Sequence, residues 1–117
     1  MIKGLAFVIY PVTDMKRSKK FYEEIIGLKS NGEFDGSDFW VEYAVGNDTL
    51  TLGCSPEWKP SSDGAVAALE IGNFDEMVAD LKKKGVEFKL DVQDFPTCKM
   101  AVIYDPDRNL ISLHSKK

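Results

Sequence analysis

Residues 12–28 read VTDMKRSKKFYEEIIGL, and the reading of this stretch decides the fold. Thr13 and Asp14 both carry a side-chain oxygen able to cap a helix N-terminus. Ser18, Phe21, Tyr22, Ile25 and Ile26 then recur at helical spacing. Lys16, Arg17, Lys19 and Lys20 fall mostly on the opposite face and read as a solvated surface, slightly unfavourable against the helix dipole. Gly27 supplies a stop. Upstream, residues 5–12 form an apolar run that predicts a buried strand. Downstream, FWVEYAV (39–45) is aromatic and β-branched, and TLTLG (49–53) alternates strictly, with Gly46-Asn47-Asp48 as hairpin chemistry between them. A further short strand is expected around residues 29–34.

The second half repeats the order. AVAALEI (65–71) predicts a strand, Asn73 a cap, and Phe74, Met77, Val78 and Leu81 the apolar face of a helix that Gly85 ends. Three strands are expected over 86–90, 99–104 and 110–114, the last two joined by the turn sequence DPDRN. Phe7, Tyr10, Val12, Asp14 and Met15 align with Val66, Leu69, Ile71, Asn73 and Phe74 at a constant offset. The fold class predicted is α+β, built from two β-α-β-β-β modules. Module one covers 1–54, a turn-rich linker 55–64, and module two 65–117. A module this small cannot bury its own sheet face well, so the two are expected to share one larger sheet.

Composition narrows the function. The chain has 117 residues, 15 basic against 19 acidic for a net charge of −4, one His and two Cys. That excludes zinc sites of four cysteines or of two cysteines and two histidines, and leaves no disulfide scaffold. The acidic balance argues against a nucleic-acid partner. The apolar run over 4–12 is too short to span a bilayer and lacks a small-residue cleavage site, so no membrane partner is expected and the chain is read as cytoplasmic, with Cys54 and Cys98 as free thiols.

The strand-to-helix stretch resembles a signature of the vicinal oxygen chelate superfamily, which contains glyoxalase I, bleomycin-resistance proteins and extradiol dioxygenases. Val12, Asp14, Met15, Ser18, Phe21, Tyr22, Ile26 and Gly27 carry that resemblance. DPDRNLISL (105–113) resembles the family's closing segment, with Arg108 in place of the usual Gly and Ser112 in place of the usual Glu. WVEYAVGNDTLTL (40–52) looks like its middle hairpin. The resemblance implies an open, U-shaped mixed sheet with helices on the convex face, a small-molecule cavity on the concave face, and a homodimer. In most members that cavity holds a divalent metal bound by His or Glu from the first and last strands of each module.

Carried over residue by residue, the ligand positions fall on Phe7, Thr51, Val66 and Ser112. None is a usual metal ligand, so neither metal nor other cofactor is expected. Strand alternation then predicts the cavity lining: Phe7 and Ile9, Trp40 and Glu42, Thr49 and Thr51, Val66, Ala68 and Glu70, and Leu110, Ser112 and His114. Such a lining is apolar and aromatic with a few polar points, as small-molecule sites are.

Glu42, Glu70 and His114 are the candidate acid or base residues. Each glutamate reads equally as a strand residue paired with a lysine. The plainer reading of His114 is a frayed terminal residue. Trp40 reads as a stacking surface or as edge packing, and Trp58 as a surface anchor or a cover over the cavity. The expected function is metal-independent binding of a small organic molecule. The alternative is a glyoxalase-like lyase or isomerase, or a dioxygenase-type enzyme, with an atypical site.

Overall fold

The computed structural model describes residues 1–30 and 38–117. They form two compact units, Met1–Pro60 and Ser61–Lys117. The first contains β1 (Val8–Pro11), α1 (Met15–Lys20), β2 (Lys29–Ser30), β3 (Trp40–Val45) and β4 (Asp48–Gly53). The second contains β5 (Ala67–Glu70), α2 (Phe74–Lys83), β6 (Phe88–Asp94), β7 (Cys98–Tyr104) and β8 (Leu110–Lys116). Each unit has its own open four-stranded mixed sheet, in the orders β1-β4-β3-β2 and β5-β8-β7-β6. The chain is thus α+β, with β-α-β-β-β modules repeated. In each, the first strand pairs in parallel with the last and the other pairings are antiparallel.

Asp14 caps α1, its carboxylate accepting from the Arg17 N–H at 3.1 Å. The helix then widens into a π turn over Phe21–Ile25. The Ile26 and Gly27 N–H groups reach back to the Phe21 and Tyr22 carbonyls at 2.9 and 3.1 Å. Gly27 and Gly85 end the two helical segments at φ 92° and 81°, where a side chain would strain the backbone. Asn73, by contrast, makes no side-chain cap bond to α2.

Strand alternation sets the two faces of each sheet. In the first unit Tyr10, Val12, Val41, Tyr43, Leu50 and Leu52 are buried on the helix side. There the Tyr22 ring stacks between Tyr10 and Tyr43, each centroid 6.3 Å away. In the second unit Leu69, Ala101, Ile103, Ile111 and Leu113 are buried, with Phe74, Val78 and Leu81 of α2. Burying a Leu or Ile side chain contributes roughly 1.5–3 kcal/mol, so these rows supply most of each unit's cohesion.

Several boundaries differ from expectation. β1 starts at Val8, not Leu5, where its backbone first pairs with β4, at Leu50. Phe7 and Val66 therefore precede their strands and stay partly exposed. β6 begins at Phe88 and runs on to Asp94, since an edge strand leaves Asp91, Gln93 and Asp94 exposed to water. β8 continues to Lys116, so His114 lies inside a paired strand rather than a frayed end. The strand expected around 29–34 is seen as Lys29–Ser30, and the rest of it lies outside the described residues.

Candidate functional site

The face of the first sheet turned away from α1 carries Ile9, Trp40, Glu42, Thr49 and Thr51. Ladder register places Ile9 and Glu42 on either side of Thr51, and Trp40 opposite Gly53. The Trp40 indole N–H donates to Glu42 Oε2 at 2.8 Å, a bond between neighbours of equal orientation two residues apart. Phe7 meets the Trp40 ring edge-on, centroids 5.4 Å apart at 90°. Trp58 lies over the same face, because a Cβ built on Gly53 would come 2.9 Å from Trp58 Cζ3 and 3.3 Å from Ile9 Cγ2. Gly53 is what lets that indole approach the strand. The result is an aromatic corner of Phe7, Trp40 and Trp58 containing one carboxylate. Sequence reading left Trp58 as a surface anchor or a cover over the cavity, outside the strand lining; the signal for its place was the glycine ending an otherwise alternating strand.

On the second sheet, register brings Ala68 beside Ser112 and Glu70 beside His114. β7 adds Val102 opposite Ser112, Met100 opposite His114 and Tyr104 opposite Leu110. Those three residues share the open face but were left out of the expected lining, although alternation within β7 would have named them. Glu70 binds at both oxygens: Oε1 lies 2.6 Å from His114 Nδ1, and Oε2 accepts from the Lys116 N–H at 2.8 Å. The Lys116 N–H, and after it the His114 ring, hold the Glu70 carboxyl below its ordinary value. Ala68 is exposed, and Val66 is 42% exposed just before β5.

The positions where the resemblance expects metal ligands do not fit a metal ion. Phe7 and Val66 have no donor atom. Among the described residues the Thr51 and Ser112 hydroxyls are buried with no hydrogen-bond partner, the two residues being 0% and 6% exposed, and neutral hydroxyls are weak ligands without carboxylate help. Among the described residues, no group of three or more His, Cys, Asp or Glu side chains is placed to hold a metal ion.

The closing turn has a structural role. Asp105 Oδ1 accepts from the N–H groups of Asp107 and Asn109, both at 2.9 Å, and Oδ2 accepts from Asn109 Nδ2 at 2.8 Å. Asn109 Oδ1 accepts from the Ser61 N–H at 3.2 Å, tying the start of the unit to its last turn. Arg108 adopts φ 68°, the left-handed conformation that glycine takes most easily. Its guanidinium lies 4.0 Å from the Tyr104 ring centroid and pairs with Glu87 at 3.0 Å.

These modules, their order and their closing turn define a family. The chain belongs to the Glyoxalase/Bleomycin resistance protein/Dioxygenase superfamily, whose model matches residues 4–113. Among solved structures it is similar to a Bacillus anthracis protein described as of the glyoxalase family, with 22% identity, 100% of this chain and 98% of that one covered, and a TM-score of 0.84. It is also similar to TnmS3, an antibiotic binding protein from Streptomyces sp. CB03234, with 25% identity, coverage of 99% and 98%, and a TM-score of 0.81. The fosfomycin resistance protein FosX from Mesorhizobium loti shares the fold at 16% identity, coverage of 100% and 95%, and a TM-score of 0.74. No curated protein matches the chain. Among the described residues, no helix is long and apolar enough to cross a membrane.

Proposed function

We propose that this chain binds a small organic molecule on its open sheet faces, without a metal ion at the family's usual ligand positions. The observation that carries the reading is the donor chemistry there. Phe7, Val66 and two buried neutral hydroxyls replace the expected anionic or imidazole ligands, while Phe7, Trp40 and Trp58 offer rings that stack on an organic ligand. The likeness to an antibiotic binding protein supports the same reading. The protein works in the cytoplasm as a homodimer, by stoichiometric capture.

The test pairs elemental analysis with a thermal-shift screen against aromatic, cationic and dicarbonyl compounds. Saturable stabilisation without turnover is expected, with no stoichiometric metal. A bound divalent ion that is needed for ligand stabilisation would overturn the reading. One observation favours a second reading, acid/base catalysis: the 2.6 Å contact of Glu70 with His114 gives the chain an oriented imidazole. Turnover abolished in a Glu70→Gln variant would establish it.

A further inference from the structure

His114 is the chain's only histidine, and its geometry is fully constrained on one side. The Glu70 carboxylate already accepts the Lys116 N–H, which helps keep it ionised. A carboxylate has no proton to give, so the hydrogen in the 2.6 Å contact belongs to His114 Nδ1. In the neutral ring the lone pair then sits on Nε2, at the far corner of the imidazole. No bond to Nε2 exists among the described residues, and the His114 side chain is 33% exposed. Alternation and register set His114 on the open face with Ser112 and Ala68, beside Met100 of β7. Capping the end of β5 would require only the bond to Lys116. The second bond, to the imidazole, does nothing for the ladder and sets a tautomer instead.

We propose that Glu70 and His114 form an oriented-base dyad, in which Nε2 receives the hydroxyl of a phenol or enol on the open face of the second sheet. This deepens the binding reading above and rests on it for the ligand, but not for the dyad. A phenolic O–H donates to the Nε2 lone pair. With a sufficiently acidic phenol, the O–H bond breaks, an N–H bond forms at Nε2, and the phenolate stays beside an imidazolium whose charge faces the Glu70 carboxylate. Of the charged groups on the neighbouring strands, Glu70 lies on β5 and Lys116 shares the ring's face two residues on, while Lys99 of β7 stands opposite Ser115 on the other face and pairs with Asp75 at 3.2 Å.

Nitrogen NMR on histidine-labelled protein reads the tautomer directly, since one imidazole gives all the signal. At a pH where the ring is neutral, the proton is expected on Nδ1, the reverse of free histidine. In Glu70→Gln the amide oxygen still accepts the Lys116 N–H while its NH2 donates to Nδ1, so the proton moves to Nε2. An Nε2–H tautomer in the wild type overturns the dyad. Para-nitrophenol, whose absorbance reports its ionisation, tests the subsite. The wild type is expected to bind it with a rise in phenolate absorbance, and Glu70→Gln and His114→Ala about tenfold more weakly without that rise. Equal affinity in all three, or no binding to a wild type with the expected tautomer, overturns the subsite. Stabilisation by other aromatic compounds in the thermal-shift screen would then still uphold the binding reading.

Discussion

The Trp40 indole N–H donates to Glu42 Oε2 at 2.8 Å, so one strand carries a ring and the carboxylate that fixes its angle. Replacing Glu42 by Leu takes away the acceptor of a half-buried donor. The expected loss is about 1–2 kcal/mol, and Glu42→Gln should lose less because its amide oxygen still accepts. Urea unfolding followed by tryptophan fluorescence measures both.

Gly53→Ala places a methyl 2.9 Å from a Trp58 ring carbon. The indole, 44% exposed already, should swing into solvent rather than let the strand break. The expected signs are a red-shifted emission and a stability loss of about 1–3 kcal/mol. If Trp58 is the obstacle, Gly53→Ala should cost much less stability in a Trp58→Ala background.

Thr51 and Ser112 each bury a hydroxyl that has no partner among the described residues. Thr51→Val and Ser112→Ala keep shape while removing that group. Each should leave stability unchanged or raise it by up to about 1 kcal/mol, an unusual direction for a core substitution. A clear loss in either denaturation curve would show that the hydroxyl is satisfied in solution.

Asp105 satisfies two backbone N–H groups and the Asn109 amide from a buried position. Asp105→Ala leaves all three donors without that acceptor and should cost about 2–4 kcal/mol. At Arg108, φ 68° makes glycine an easier fit, while the side chain contributes its contacts to Glu87 and Tyr104. Arg108→Gly is therefore expected to melt at a higher temperature than Arg108→Ala, which loses the contacts and keeps the strain.

The Glu70 carboxyl titrates below its ordinary value of 4.5 in the folded chain, chiefly through the Lys116 N–H and then His114. A depressed carboxyl contributes stability above that ordinary value and loses it as pH falls through the lower folded one. The stability gap between wild type and Glu70→Gln should thus be full at neutral pH and close in acid. Denaturation midpoints across that range measure it, and a gap that widens in acid would contradict the assignment.

The two sheet faces were legible because side chains alternate along a strand, apolar toward the helix and mixed on the other face. Leu50 and Leu52 flank Thr51, and Ile111 and Leu113 flank Ser112, so period-two alternation assigned both faces before any register was known. The helix ends were legible too, since Gly27 needed a conformation other residues resist. What escaped was set by partners distant in sequence. The start of β1 depends on where β4 runs alongside it, and the length of β6 on β7. The Glu70–His114 contact spans 44 positions and exists only because β5 and β8 run parallel in one register. Trp58 was legible only as one of two alternatives, an anchor or a cover, because its place follows from the path of the chain after Gly53 and not from any periodicity.

In each unit the strand made first during synthesis pairs with the strand made last. Neither sheet can close until its whole module has left the ribosome, and until then β1 or β5 waits with an open edge. The first unit can finish while the second is still being made. The second waits in the same way for β8, which lies between β5 and β7 in its sheet. A stop codon placed before β8 should therefore leave β5 without its partner strand, while the first unit can still close.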